Sequence, residues 1–566
     1  MRAFLSGLTF SELAARSDSD PARWRQPFLR LLDGIKAGWA VPLLLAGFLA
    51  VWMAFLVIAY LVGDLHSDVL EAWTLGRSFE WGSFKHPPLM GWIAHAWTSV
   101  FPLTDWSFQL LALINSAIAL WFVDLISRRF VKGDKRLVVL LLLMLPPTYQ
   151  LFAQRFNANA VLLPLWPLAT YCFLRSFESR EVTWAAAAGA TAALAMLGKY
   201  YSVFLIFSFV FAALCHPRRH AYFRSAAPWI STAVGLVALA PHLSWLAATG
   251  AMPFDYALTE HAGKALVPAL GEALLFLGGA ALGLLLPAAL WAAIAGRRLN
   301  MLPRDLSKMD PGLHLLGLIA VGTIAFPAIT AVVLGTHMPG VWASQGLFLF
   351  VVLAVCSTSY AIERFYTVNL IVIVTGLALV ATVVVAPLQA WHHNTHPLNE
   401  GRNFYRLSAL ELTRQWHKQL EVPLPLVGGD EGLALAAAFY SADHPLYEQE
   451  LVCPKKEDLL PSAAAISRGW AGICFADDDG CIDRTMRNAK RSPRVLETEF
   501  TVQSALLGIP GAQARIKAFL IPPSVEDVVT SLSPDDLYER RCKSSKPVIS
   551  LGLTGRQSPR PAPSAE

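Results

Sequence analysis

Long apolar runs without charged residues dominate the first two thirds of the chain. Residues 41–62 form a run of 22, and residues 273–296 and 367–390 form runs of 24 each. Each run is about long enough to cross a hydrocarbon core of roughly 30 Å as a helix. If every such run is a helix, the pattern predicts about eleven spans, near residues 41–62, 107–127, 137–153, 160–174, 183–198, 200–215, 226–247, 273–296, 315–335, 341–362 and 367–390. The sequence therefore predicts an all-α polytopic membrane protein.

The pattern changes at about residue 392 to a mixed polar sequence. Residues 423–448 read as a short apolar strand, a glycine turn, an apolar helix and a proline-bounded loop, which predicts a small α/β domain. We predict four parts: an N-terminal segment (1–40), a transmembrane domain (41–390) whose first loop spans 63–106, a C-terminal domain (391–542) and a disordered tail (543–566).

Lys and Arg are distributed unevenly between the predicted loops. One set of loops carries Arg128, Arg129, Lys132, Lys135, Arg136, Arg175, Arg180, Arg218, Arg219, Arg224, Arg297, Arg298, Arg304 and Lys308. The opposite set carries Arg77, Lys85, Arg155, Lys199 and Lys264. The positive-inside rule assigns the first set, and the Arg-rich N-terminus, to the cytoplasm. An odd number of spans then places the C-terminal domain on the other side, together with the first loop.

The amino-acid composition agrees with a membrane protein and gives no support for nucleic acid or a nucleotide as a partner. The chain is 55% hydrophobic and 15% charged, with 18 tryptophans. Its formal net charge of +5 gives no reason to expect nucleic acid as a partner, and it has no Walker loop and no glycine-rich dinucleotide motif between a strand and a helix. Cys453, Cys474, Cys481 and Cys542 lie in the C-terminal part, where two disulfides are expected outside the cytoplasm, with all three pairings open.

Ionisable residues are concentrated in the first loop. Residues 63–92 contain Asp64, His66, Asp68, Glu71, Arg77, Glu80, Lys85 and His86, and such density at a bilayer edge usually has a function. On a short helix Asp68 and Glu71 share one face, so one carboxylate is a candidate base and the other orients or neutralises a neighbour. The alternative is a solvated loop helix with ordinary carboxylates.

The segment FKHPPL places two cations at the membrane surface. Its prolines favour an extended backbone, which holds Lys85 and His86 beside further apolar sequence. Such a pair suits a phosphate whose lipid tail stays in the bilayer. The alternative is a proline-terminated loop with a lysine that reaches from apolar surface to water.

Three other stretches contribute polar groups on the same predicted side. The segment TEHAGKA supplies Glu260, His261 and Lys264; His261 is a candidate ligand for a divalent metal or a phosphate, and Lys264 is suited to neutralise a leaving group. Arg155, Asn157 and Asn159 stand at the start of one span, and Lys199 lies at a comparable depth. Ordinary interfacial positions are the alternative for these residues.

Five motifs together resemble the GT-C superfamily of glycosyltransferases that use polyprenyl-phosphate sugars. They are SDVLEAW, GRSFEWGSFKHPPLMGW, FNANAVLLPLWP, LGKYYS and EHAGK. The closest resemblance is to the bacterial protein-mannosyltransferase-like group, glycosyltransferase families 39 and 83, over roughly residues 40–390. That group includes the lipid A aminoarabinose transferases and the rhizobial transferases of galacturonic acid. The C-terminal domain matches only loosely.

The resemblance assigns roles to particular residues. Asp68 takes the place of the family's first-loop catalytic aspartate; the family often has Asp-Glu there, whereas here Val69 follows and Glu71 is the nearest acid. His261 corresponds to the family's metal-binding histidine. Where many relatives have an acidic metal ligand before the His-Pro-Pro motif, this chain has Lys85. A divalent metal is thus the one candidate cofactor, and the Lys85 ammonium is a candidate to replace it.

The resemblance implies an inverting sugar transfer at the periplasmic face of a bacterial inner membrane. The expected donor is a polyprenyl-phosphate sugar, bound through Lys85, His86, Lys264, Lys199 and Arg155. Asn157 and Asn159 are expected to contact the sugar or the acceptor, which is a cell-envelope glycolipid such as lipopolysaccharide or lipid A, a polysaccharide or a protein. A transporter or lipid flippase, and a catalytically silent scaffold, are the alternatives. Transporters often carry charges midway along helices and inverted repeats, whereas these charges cluster at span ends.

Overall fold

The computed structural model describes residues 23–151, 154–251, 253–254, 265–447, 468–490 and 492–523. Helices predominate in this part of the chain, as the apolar runs predict. Seven of its helices are long and apolar enough to cross a membrane: Ala40–Ala59, Asp105–Ser127, Ala158–Ser179, Ala227–Ala248, Leu266–Ser307, Pro311–Leu334 and Arg364–Thr395. The membrane-protein class is therefore supported by length and composition.

The predicted count of eleven spans is not confirmed. The other four apolar runs form shorter helices, Asp134–Leu143, Val182–Gly198, Val203–Cys215 and Leu347–Cys356. At 1.5 Å per residue, helices of 10 to 17 residues are about 15–26 Å long. Asp134–Leu143 ends shortly before Pro146 and Pro147, which disfavour a continuing helix. Its residues from Leu137 to Leu143 are at most 1% exposed, so this helix lies inside the bundle.

Two short helices form half of the first loop. The first-loop helix, Ser67–Ser78, is followed by Leu89–Thr98. They cross at two glycines: a Cβ on Gly76 would lie 2.6 Å from the carbonyl oxygen of Gly91. The close crossing holds the connecting segment, with Lys85 and His86, against the start of the first-loop helix.

The C-terminal region contains the predicted small α/β arrangement. Its strands are β1 (Leu426–Gly429), β2 (Leu446–Tyr447), β3 (Trp470–Phe475), β4 (Leu496–Leu506) and β5 (Ile509–Ile521). They form one sheet in the order β2-β1-β3-β5-β4, with β1 parallel to β2 and β3, and β5 antiparallel to β3 and β4. The accompanying helices are Tyr405–Gln419, Glu431–Tyr440 and Asp479–Ala489.

One disulfide joins Cys474 at the end of β3 to Cys481 in the helix that follows. This bond is compatible with one of the three pairing schemes that the sequence leaves open, the scheme in which the second disulfide joins Cys453 to Cys542. Those two cysteines, and the predicted tail 543–566, lie outside the described residues. The second disulfide therefore stays a prediction.

The first loop and the C-terminal domain share one hydrophobic core. Trp73 of the first-loop helix packs edge-to-face on Phe439, with ring centroids 5.3 Å apart, and Phe439 also contacts Phe108. The same core includes Leu70 and Trp416, both at most 1% exposed. Because burial of apolar surface is the main favourable term in packing, the C-terminal domain fixes the position of the first loop.

Polar contacts reinforce this packing at both ends of the loop. The Arg406 backbone N–H donates to the Asp64 carboxylate at 2.7 Å, and its guanidinium contacts Asp105. The Tyr440 hydroxyl donates to Asp105 at 3.0 Å and accepts from the Leu65 backbone N–H at 3.1 Å. The C-terminal domain thus holds both ends of the loop through charged and polar groups as well as through the core.

Candidate functional site

Asp68 lies in the first turn of the first-loop helix. His66 caps this helix, its Nδ1 accepting from the Asp68 backbone N–H at 3.2 Å. The Asp68 side chain is 41% exposed, and its Oδ2 accepts a hydrogen bond of 2.7 Å from Asn157. Burial alone would raise the pKa of Asp68, but the contacts with His66, the bond from Asn157 and the charge of Arg155 outweigh it and lower that pKa. The carboxylate is therefore ionised at neutral pH and open on one side.

Asn157 positions this carboxylate through its place at a helix start. Its Oδ1 accepts from the backbone N–H groups of Asn159 and Ala160, at 2.9 and 3.0 Å, and so caps the helix Ala158–Ser179. With the oxygen used by the cap, the amide nitrogen faces Asp68. Asn157, predicted to contact sugar or acceptor, thus contacts Asp68 in this structure, and an asparagine before an apolar helix was a readable capping signal.

Lys199 and Asn159 form a second polar contact, next to the Asn157 helix start. Lys199 occupies the break between the helices Val182–Gly198 and Val203–Cys215, and its ammonium donates to Asn159 Oδ1 at 2.6 Å. The same ammonium lies 3.8 Å from the ring centroid of Trp342, a cation–π contact that holds it in place. Gln345 donates to the Asn159 carbonyl at 3.0 Å. Trp342 and Gln345 were not predicted as site residues.

Arg155 lies beside the same group of residues. It is exposed and lines a small cavity with His66 and Arg402. Its positive charge acts on the Asp68 carboxylate. The predicted donor-binding arginine is thus next to the predicted base.

Lys85, His86 and Glu71 form the second half of the site. The Lys85 ammonium is 3.8 Å from Glu71 Oε1 and 2.6 Å from Oε1 of Glu431 in the C-terminal domain. His86 Nε2 is 3.8 Å from Glu71 Oε2. Burial, with the charges of Lys199 and Lys85, lowers the pKa of His86 to about 3, so the ring is neutral.

Burial raises the pKa of Glu71 to about 7, against the lowering effect of the Lys85 charge. The negative charges of Glu431 and Asp68 add to the rise. Asp68 and Glu71 therefore differ in protonation although they share one helix: the first is ionised, whereas the second gains or loses its proton near neutral pH.

Two predicted site residues, His261 and Lys264, lie outside the described residues, as does Glu260. Among the residues that are described, no three His, Cys, Asp or Glu side chains are grouped so that they could hold one metal ion. The carboxylates nearest the His-Pro-Pro segment face the Lys85 ammonium instead. The site residues that the structure describes therefore do not provide the group of metal ligands that the family resemblance implies.

Glu431 is a third site residue that sequence reasoning missed, after Trp342 and Gln345. The segment GGDE predicts a helix start, and Asp430 does cap this helix by accepting from the Leu433 backbone N–H. Nothing in the local pattern links it to Lys85, which lies 346 residues earlier. His66 was noted only as part of the ionisable cluster, and its capping role depends on backbone geometry.

We expect replacement of Glu71 by glutamine to change how stability depends on pH. The pKa of Glu71 rises from the ordinary 4.5 to about 7 on folding. Its contribution to the free energy of unfolding is therefore full below about pH 4.5 and is lost as the pH rises through 7, by about 3 kcal/mol. Melting temperatures of the detergent-purified protein should agree between Glu71→Gln and the native protein at pH 4, and the variant should be the more stable at pH 8. The exposed Glu80→Gln is the control, and parallel curves for Glu71→Gln and the native protein would contradict the assignment.

Known proteins resemble this chain in sequence over part of its length and in fold over most of it. The family profile of dolichyl-phosphate-mannose-protein mannosyltransferases matches residues 85–245. No curated protein sequence matches the chain. The crystal structure of ArnT from Cupriavidus metallidurans bound to undecaprenyl phosphate is similar with a TM-score of 0.53 at 15% identity, covering 85% of this chain and 98% of ArnT.

The apo structure of the same ArnT gives a TM-score of 0.52 with the same identity and coverage. The family match starts at Lys85 and ends beyond Lys199, so it includes the second half of the first loop and the Asn157 helix start. The chain therefore has the fold of ArnT and, over residues 85–245, resembles the dolichyl-phosphate-mannose-protein mannosyltransferases in sequence.

Proposed function

We propose that this protein is an inverting glycosyltransferase that moves a sugar from a polyprenyl-phosphate donor to a hydroxyl of a cell-envelope acceptor. One observation carries the proposal: an ionised, half-open carboxylate, Asp68, lies beside the positive charge of Arg155 and within electrostatic reach of Lys199, where the helix bundle meets the first loop. The bound undecaprenyl phosphate in the similar ArnT structure supports a lipid-phosphate donor.

In the proposed reaction the donor phosphate lies near Lys85, His86 and Lys199, with Arg155 and Lys264 as further predicted contacts. The acceptor hydroxyl attacks the anomeric carbon from the face opposite the phosphate. As the new carbon–oxygen bond forms, the proton of the acceptor hydroxyl passes to the Asp68 carboxylate. The bond between the anomeric carbon and the phosphate oxygen breaks, its electron pair stays on that oxygen, and the configuration inverts.

Charge stabilisation of the leaving phosphate is the larger demand of this step. Lys85 is suited to it because its ammonium is a compact donor in a partly buried setting, 17% exposed. The Asn157 amide keeps the Asp68 carboxylate oriented while the hydroxyl approaches. Glu71 tunes the site, since its protonation decides whether Lys85 faces one negative charge or two.

We further propose that the active site and the C-terminal domain face the periplasm of a bacterial inner membrane. The distribution of Lys and Arg between loops supports this orientation. Lipopolysaccharide or lipid A, a polysaccharide and a protein are the candidate acceptors, and membrane lipids surround the spans.

The decisive experiment has two stages. Mass spectrometry of envelope glycolipids, polysaccharides and glycoproteins from a deletion strain identifies the sugar mass that is lost. Purified protein is then given that sugar on undecaprenyl phosphate, with the matching acceptor, in liposomes. Sugar transfer supports the proposal; translocation of the lipid without transfer supports the transporter alternative and would overturn it.

We expect chelation to leave transfer unchanged. Because Lys85 stands where the family's acidic metal ligand is expected, its ammonium supplies the positive charge at this position. Initial rates with and without EDTA, after passage of the protein over a chelating resin, test the substitution. A rate that falls with EDTA and returns on adding a divalent cation would show that a metal, and not Lys85 alone, neutralises the phosphate.

A further inference from the structure

Glu431 belongs to the C-terminal domain, yet its position beside Lys85 is rigidly built. Strand β1 ends at Gly429, where φ is +112° and a Cβ would lie 2.2 Å from the carbonyl oxygen of Ile473. Only glycine fits this turn. The cap by Asp430 then starts the helix, so Glu431 is placed in its first turn with Oε1 2.6 Å from the Lys85 ammonium.

Two carboxylates face the one ammonium, and they differ in accessibility. Glu71, at 3.8 Å, is 14% exposed, whereas Glu431, at 2.6 Å, is 43% exposed. The closer partner is thus the one that solvent and ligands can reach. A phosphate that approaches Lys85 would meet the Glu431 carboxylate, which occupies a charge-assisted hydrogen bond of the kind that a phosphate oxygen would make.

We propose that Glu431 is a positioning residue that competes with the lipid phosphate for Lys85. The donor phosphate replaces the Glu431 carboxylate on the ammonium, and the carboxylate returns as the product leaves. This inference rests on the proposed function, because it assigns Lys85 to the donor phosphate. It makes the C-terminal domain a part of the active site rather than an appendage.

The charge of the product explains why such a competitor is useful. The donor is a phosphodiester with one negative charge, whereas the released polyprenyl phosphate is a monoester whose second pKa is near 6, so it carries closer to two. The product therefore binds an ammonium more tightly than the substrate does. A carboxylate that competes for Lys85 shortens the time for which product occupies the site, and product release sets the turnover of many enzymes.

The test measures binding and turnover separately in Glu431→Gln, which keeps the side-chain size and removes the charge. We expect undecaprenyl phosphate, used as the probe in nanodiscs, to bind the variant about fivefold to tenfold more tightly than it binds the native protein. In the transfer assay KM for the donor and kcat should both fall. Glu431→Asp, which keeps the carboxylate but shortens the side chain, should lie between the two proteins.

Two controls separate competition from general damage. Glu400→Gln is matched, because Glu400 also joins the C-terminal domain to the first loop, through a 2.9 Å bond from Ser67, but it does not contact Lys85; it should leave the affinity unchanged. In the Lys85→Gln background the Glu431→Gln change should have no effect on affinity, since no ammonium is left to compete for. Unchanged or weaker binding by Glu431→Gln would overturn the inference.

Failure of the inference is distinguishable from failure of the proposed function. Affinity for undecaprenyl phosphate is measured without any sugar or acceptor. Tighter binding by Glu431→Gln in a protein that transfers no sugar would sustain the competition and refute the glycosyltransferase. Sugar transfer by the native protein, together with an unaltered lipid affinity in Glu431→Gln, would support the glycosyltransferase and refute the competition. If Glu431→Gln does not fold, the affinity of Glu431→Asp decides.

Discussion

Replacement of Asp68 by asparagine is expected to reduce sugar transfer by about 10² to 10⁴-fold, the usual contribution of a positioned general base. The amide has nearly the same shape, and its oxygen can still accept the hydrogen bond from Asn157 that the carboxylate accepts at 2.7 Å. The helix start and the surrounding packing therefore remain. What is lost is the negative charge and the ability to take the proton of the acceptor hydroxyl.

The measurement is the initial rate of transfer from a polyprenyl-phosphate sugar, together with the amount of protein in the membrane fraction. Glu80→Gln is the matched control, since Glu80 is an exposed carboxylate of the same loop. Full activity in Asp68→Asn would remove Asp68 from the base role. Equal loss in both variants would indicate that loop structure, and not the charge at position 68, was disturbed.

Replacement of Lys85 by glutamine is expected to lower kcat by about 10² to 10³-fold, the range found when one preorganised donor to a developing negative charge is removed. Among the described residues, the Lys85 ammonium is the only cationic group that contacts both the Glu71 and the Glu431 carboxylates. Without it the departing phosphate would meet the Glu71 and Glu431 carboxylates with no ammonium between them, and only the more distant basic groups would offset its charge. KM for the donor should rise as well.

Lys85→Arg separates charge from geometry. A guanidinium keeps the positive charge but is planar and longer, so partial activity is expected. The binding of undecaprenyl phosphate to each variant, measured alongside turnover, shows whether the loss arises in binding or in the chemical step. Native rates in Lys85→Gln would exclude this residue as the phosphate partner.

Much of the first loop could be predicted because its signals are local. Asp68 and Glu71 were expected to share one face of a short helix, and the structure has that helix at Ser67–Ser78. The two acids nevertheless have different neighbours: Asn157 holds Asp68, whereas Lys85 and His86 lie near Glu71. Spacing places side chains on a face but does not tell which groups approach that face.

The membrane spans show a second limit. Every predicted apolar run contains a helix, but hydropathy alone does not tell a span from a short helix buried inside the bundle. For residues 137–153 the distinguishing signal was present, because Pro146 and Pro147 interrupt the run. Glu431 had no such signal, since its contact with Lys85 arises only when parts of the chain 346 residues apart pack together.

The shared core of the first-loop helix and the C-terminal domain has a consequence for biosynthesis. The first loop leaves the ribosome long before its partners exist, since Ser67 pairs with Glu400 and Lys85 with Glu431, 333 and 346 residues later. At about 5 to 20 residues per second, translation of the intervening sequence takes roughly 15–70 s. During that interval the chain has inserted its early spans but has neither Trp416 nor Phe439 to cover Trp73 and Leu70. Nascent and truncated chains therefore lack the packing that holds the first loop, and we expect the proposed sugar transfer to require delivery of the C-terminal domain to the side of the membrane where the loop lies.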